Sequence, residues 1–174
     1  SMNCILVRHG IAVKSDEWEG TEKNRPLTEK GKRRVRQAVE GLATLDYRPT
    51  HLFTSPFVRA YDTARQLQAV ICPKLTVEIR SELVAGTKPE RLVAFLHTLP
   101  SDAVAICVGH EPQLGEVASL LLCGKALHNF PLKKAGAVCI ESKGLMDRSQ
   151  GLLRWWLQPL QLRALRKRKP GQET

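Results

Sequence analysis

The chain has 174 residues, 43% hydrophobic and 25% charged, the composition of one globular domain and not of a disordered chain. Aromatic residues make up only 5%, so the core must be mostly aliphatic, and no apolar run approaches the ~18 residues of a membrane span. The net charge of +10 favours encounters with anionic partners without specifying the anion. The opening residues lack a basic stretch and a small-residue cleavage site, which predicts no signal peptide. The five cysteines include no C-x-x-C pair. Cys4, Cys107 and Cys139 sit inside apolar runs and should pack as small hydrophobes. That usage predicts neither a disulfide framework nor a zinc site, and suits a reducing, cytoplasmic compartment.

Taken in order, the elements alternate. Residues 3–8 form a short apolar, β-branched run, the pattern of a buried strand. Residues 10–27 are polar and aperiodic, a loop. A helix is predicted over residues 29–45, with Thr28 as N-cap and Val35, Ala38, Val39, Leu42 and Leu45 on one face. Its cations, Lys30, Lys32, Arg33, Arg34 and Arg36, read as the wet face. Residues 51–54 read as a strand. Ser55-Pro56 predicts the cap and first position of a second helix reaching residue 70. A strand at 75–79, a helix opened by Pro89, and a buried strand at 103–108 follow. Gly109-His110-Glu111-Pro112 turns into a fourth helix. Residues 135–141 and 152–157 read as late strands, with Trp155 and Trp156 on opposite faces of the last. The expected fold is a three-layer α/β sandwich with a mostly parallel central sheet. One domain should span residues 1–162, and residues 163–174 read as a basic C-terminal tail.

In parallel sheets, ligands bind beyond the carboxyl ends of the strands. Arg8-His9-Gly10 ends the first strand, Ser55 to Ala60 follows the second, and Gly109-His110 ends the strand at 103–108. These segments should converge, placing Arg8, Arg59, His9, His110 and a helix N-terminus in one cleft. Such a cluster calls for an anion, and guanidinium forks match phosphate oxygens. A neutral imidazole can attack phosphorus, and neighbouring guanidinium groups disfavour the imidazolium form. The other cationic side chains could neutralise the equatorial oxygens without a metal. No cofactor is expected.

Leu6-Val7-Arg8-His9-Gly10, Arg25-Pro26-Leu27-Thr28-Glu29-Lys30-Gly31, Ser55-Pro56 with Arg59-Ala60 and Thr63-Ala64, and Val108-Gly109-His110 with Pro112 together resemble the histidine phosphatase superfamily, of phosphoglycerate mutase-like fold. The short length and the Arg-Pro-Leu-Thr segment resemble its SixA-type phosphohistidine phosphatase branch. The resemblance implies that His9 accepts the phosphoryl group and that Arg8, Arg59 and His110 bind phosphate. It also implies hydrolysis by water through a phosphohistidine intermediate. A carboxylic acid that protonates the leaving group is usual in the family, and Glu82 stands roughly where many members keep it. Asp16 or Glu17 in the first loop could serve instead. An imidazole leaving group, with a pKa of about 6.5, needs less help than an alkoxide.

The leading expectation is a metal-independent phosphatase acting on phosphohistidine in a protein partner, such as a histidine phosphotransfer domain of a signalling relay. The segment from Gly10 to Thr28 is too short to roof the cleft, and an open site admits a folded protein. A phosphomonoesterase for small esters is the alternative. A third possibility is a non-enzymatic phosphate- or nucleic-acid-binding protein. The absence of any nucleic-acid module counts against nucleic acid. His51, His97 and His128 read as structural or surface residues.

Overall fold

The computed structural model describes residues 1–167. Six strands form one sheet: β1 (Met2–Arg8), β2 (His51–Thr54), β3 (Val77–Ile79), β4 (Val104–Gly109), β5 (Ala137–Ser142) and β6 (Leu152–Leu157). Their spatial order is β3-β2-β4-β1-β5-β6. The first four strands pair in parallel, while β5 and β6 pair antiparallel. Five helices cover it: α1 (Glu29–Ala43), α2 (Val58–Ile71), α3 (Pro89–His97), α4 (Gln113–Cys123) and α5 (Pro159–Ala164). The expected three-layer sandwich is present. None of the helices of the described residues is long and apolar enough to cross a membrane.

Alternation along the strands divides the interior in two. Cys4 and Leu6 join Phe53, Ala105, Cys107, Val138 and Ile140 on the face covered by α3 and α4. Ile5 and Val7 join Leu52, Ile106, Val108, Ala137 and Cys139 on the face covered by α1, α2 and α5. Cys4, Cys107 and Cys139 are therefore buried among apolar residues, as is Cys72. Trp156 packs on the first cluster and Trp155 on the second, as alternation requires.

Several boundaries differ from expectation. Thr28 does cap α1, its hydroxyl accepting from the Gly31 N–H at 2.8 Å. Ser55-Pro56 does not open α2, which starts at Val58 with Phe57 as N-cap. Ser55 Oγ accepts instead from the Phe57 N–H at 3.2 Å, so the pair forms the turn before the helix. The loop after β1 holds two single turns of 3-10 helix, at Ser15–Glu17 and Glu22–Asn24. Helix α5 crosses the expected boundary between domain and tail. Leu162 is buried against α1, and the main chain there lies so near that a Cβ on Gly41 would meet Leu162 O. Arg163 and Ala164 thus belong to the folded body, and residues 168–174 of the expected tail lie outside the described residues.

Candidate active site at the carboxyl ends of the parallel strands

Register builds the site. Arg8 pairs with Gly109 across β1 and β4, and Thr54 pairs with Val108 across β2 and β4. The residues that follow must emerge side by side. His9 N–H donates to Gly109 O at 3.0 Å and Ser55 N–H to Val108 O at 3.0 Å. His9, His110 and Ser55 therefore leave the sheet together, and the two imidazole centroids stand 5.1 Å apart. Arg59 enters from the first turn of α2, its guanidinium carbon 5.2 Å from the Phe57 ring centre. Phe57 in turn meets His110 edge-on at 5.1 Å. The three segments expected to converge do so.

Hydrogen bonds fix the protons. His9 Nδ1 lies 2.7 Å from Gly10 O. A carbonyl only accepts, so Nδ1 carries the hydrogen and Nε2 keeps its lone pair. Gly10 is held in turn, its N–H donating to Thr63 Oγ1 at 3.1 Å while that hydroxyl donates to Arg59 O at 2.8 Å. A Cβ on Gly10 would stand 2.3 Å from Val35 Cγ2, so the loop can pass beneath α1 only without a side chain. His110 Nε2 lies 2.8 Å from Ser55 Oγ. That oxygen also accepts from the Phe57 N–H, and a hydroxyl can either donate to Nε2 or accept from it.

Both imidazoles are neutral at neutral pH. Burial pushes His9 down to about 3, with the Gly10 carbonyl opposing and His110, Arg59 and Arg8 adding smaller repulsions. Burial likewise pushes His110 down to about 4, with Arg59 and Arg8 next in size. The expected guanidinium effect is present, but desolvation is larger.

The cations are incompletely matched. Arg8 donates from Nη1 to Leu132 O at 2.9 Å. Arg59, 4% exposed, donates to Glu22 O at 3.0 Å and approaches Glu22 Oε1 at 3.1 Å. Arg8 Nε, Arg59 Nε and His110 Nδ1 are buried with no hydrogen-bond partner among the described residues. Two guanidinium N–H donors and an imidazole nitrogen are thus left without protein partners, and such donors suit an oxyanion.

Glu82 is placed differently from expectation. Its carboxylate takes two hydrogen bonds from Arg80, from Nε at 3.1 Å and from Nη2 at 2.8 Å. Burial pushes the Glu82 carboxyl up, but those bonds and the Arg80 charge outweigh it and the net shift is downward. A group held ionised in this way is poorly suited to donate a proton. Asp16 and Glu17 are exposed on the first 3-10 turn.

Two residues lacked an assigned role in the sequence. Arg25 belongs to a recognised segment, yet only the folded loop shows it chelating Glu22 (2.7 Å) and donating to Val13 O at 2.6 Å. Glu111 lines a cavity beside Arg8, and no spacing rule would have separated it from an ordinary turn glutamate. His128, read as a surface residue, is exposed but stands at that same cavity.

A family model of the histidine phosphatase superfamily (branch 1) matches residues 4–85. An uncharacterized protein of Picosynechococcus sp. is 33% identical over 147 residues, covering 81% of this chain and 86% of its own length. The phosphohistidine phosphatase SixA of Escherichia coli is 23% identical over 164 residues, 93% of this chain and 97% of that protein. A solved structure of the protein histidine phosphatase SixA with tungstate superposes with a TM-score of 0.78 at 23% identity, covering 92% and 99% of the two chains. A mycobacterial glucosyl-3-phosphoglycerate phosphatase complexed with VO3 superposes with a TM-score of 0.69 at 18% identity, covering 91% and 100%. With the matched segments reaching from β1 past α2, and with a relative sharing a third of its residues over most of both chains, the protein belongs to the histidine phosphatase superfamily as a phosphatase of SixA-type fold.

Proposed function

We propose that the chain hydrolyses phosphohistidine carried by a protein partner, with His9 as nucleophile and Arg8, Arg59 and His110 holding the phosphoryl oxygens. One observation carries this reading: the Gly10 carbonyl accepts from His9 Nδ1–H and leaves the Nε2 lone pair free, while Arg8 and Arg59 keep buried, unpaired Nε–H donors. In the first step the Nε2 lone pair attacks phosphorus, the bond from phosphorus to the substrate nitrogen breaks, and its electron pair stays on the leaving ring. In the second step water attacks, the bond to His9 breaks, and inorganic phosphate departs. The cations meet the charge on the equatorial oxygens in both steps, so no metal is required.

Two features favour phosphohistidine over small esters. The loop between β1 and α1 is short and carries only two 3-10 turns, which supports access by a folded partner. A groove of about 610 Å³ beside α1 and α2, lined by Lys32, Arg33, Arg36 and Arg65 with no carboxylate in its wall, suits an acidic partner surface. The superfamily fold also supports ester hydrolysis, as the mycobacterial relative's name states, so the fold alone does not choose the substrate.

Rapid quench with a phosphorylated histidine phosphotransfer domain tests the proposal. The expected result is a transient acid-labile phosphoryl group on His9 and none on His9→Ala. Turnover by His9→Ala, or comparable kcat/KM on a sugar phosphate, would overturn it.

A further inference from the structure

Beside Arg8 lies a cavity of about 180 Å³. Arg8 forms one wall, but His9, Arg59 and His110 do not. The cavity therefore adjoins the proposed phosphoryl site through Arg8. Its other walls are mainly apolar, with Pro112, Leu127 and Phe130 among them, and Glu111 is set into them. A liquid water occupies about 30 Å³, so the space holds several heavy atoms, enough for a five-membered ring.

The Glu111 carboxyl is held in place. Oε1 accepts from the Gly115 N–H at 2.9 Å. A Cβ on Gly115 would stand 2.9 Å from Oε2 and 2.3 Å from Phe130 O, so only glycine lets the carboxyl and the Phe130 loop close over the first turn of α4. The charged and titratable groups facing the cavity are Arg8 from β1, Glu116 from α4 and His128 from the loop. Burial pushes Glu111 up, against the Gly115 N–H and the Arg8 charge. Of the carboxyls near the site, Glu22 and Glu82 are paired with arginines, whereas Glu111 has only backbone hydrogen bonds.

We infer that this cavity is a leaving-group subsite that receives the imidazole ring of the substrate phosphohistidine, with Glu111 donating its proton to the ring nitrogen remote from phosphorus. The inference rests on the phosphohistidine reading above. The apolar walls flank the ring faces, and the carboxyl meets the ring edge. As the bond from phosphorus to nitrogen breaks, its electron pair stays on the ring. With the remote nitrogen protonated, the ring leaves as neutral imidazole and not as an imidazolate. Glu111 remains as a carboxylate beside Arg8, and solvent reprotonates it after the ring departs.

The test compares kcat/KM on a phosphohistidine protein and on p-nitrophenyl phosphate, whose phenolate departs without a proton. Glu111→Gln is expected to lose at least about tenfold more on phosphohistidine than on the aryl phosphate. The alkaline limb of its phosphohistidine pH profile should also vanish. Leu127→Trp, at the 41% exposed rim, fills the mouth without touching the carboxyl, and should raise KM for phosphohistidine several-fold more than for the aryl phosphate. Equal losses on both substrates would reduce Glu111 to a loop anchor and overturn the inference, as would unchanged kinetics in both variants. Wild-type activity on the aryl phosphate alone would instead remove the phosphohistidine reading beneath it.

Discussion

Two arginine clusters near the sheet's carboxyl edge are built to opposite ends. Arg80 is saturated: Glu82 takes Nε and Nη2, Glu78 lies 3.4 Å from Nη1, and the Phe95 ring stacks 4.0 Å below the guanidinium. Arg59 is more deeply buried, shares Glu22 with Arg25, and keeps an unpaired Nε, as does Arg8. A saturated cluster gains nothing from a ligand. Buried donors without partners carry a desolvation cost that a bound oxyanion relieves. The same residue type is thus structural in one place and poised for binding in the other.

The sharpest way to break this comparison is to remove the nucleophile. His9→Ala should lower kcat/KM by about 10⁴-fold or more, with unchanged secondary structure by circular dichroism. Arg59→Ala should follow with a loss of about 10²–10³-fold, and orthovanadate, a trigonal-bipyramidal mimic, should inhibit it correspondingly less. Strong vanadate inhibition of Arg59→Ala would move the phosphate site elsewhere.

The buried imidazoles also mark the cluster through stability. His9 and His110 titrate at about 3 and about 4 in the folded chain, against about 6.5 unfolded. Below pH 6.5 the unfolded chain takes up protons that the folded chain refuses. Stability is full above that value and is lost as the pH falls toward 4. Between pH 6.5 and 5 each histidine accounts for at most about 2 kcal/mol. Urea midpoints should fall over that range, and less steeply in His9→Ala. Midpoints independent of pH there would mean that the imidazoles are charged in the fold.

Much of this architecture was legible in the chain. The β-strand runs and the Thr28 cap act locally, and Arg8, His9 and His110 at strand ends had to meet once β1 and β4 were adjacent, with Arg59 following from the first turn of α2. What escaped was set by distant packing. Helix α5 has only six residues, and Leu162 alone is buried in it, so its periodicity carries little signal. Before α2, Ser55 forms a turn whose hydroxyl meets both the Phe57 N–H and His110, 55 residues away. Glu82 and Glu111 were indistinguishable as letters. Arg80 settled the first, and the cavity walled by the Phe130 loop set apart the second.

The smallest expected effect sharpens the comparison most, because it concerns the cluster that should be inert. Glu82→Gln keeps the side chain's shape and an oxygen acceptor for Arg80, and removes only the charge. The Arg80 side chain is 31% exposed, so the lost ion pair should cost at most about 1 kcal/mol in urea unfolding. Since neither Glu82 nor Arg80 touches the imidazole pair, kcat/KM on phosphohistidine protein should stay within about threefold. The backbone of the same residue has a separate job, as Gln113 Nε2 donates to Glu82 O at 2.6 Å, and the substitution leaves that bond intact. A hundredfold fall in kcat with unchanged stability would reverse the assignment. Glu82 would then be the acid of the reaction, swinging away from Arg80 when substrate binds, and the two clusters would be parts of one site.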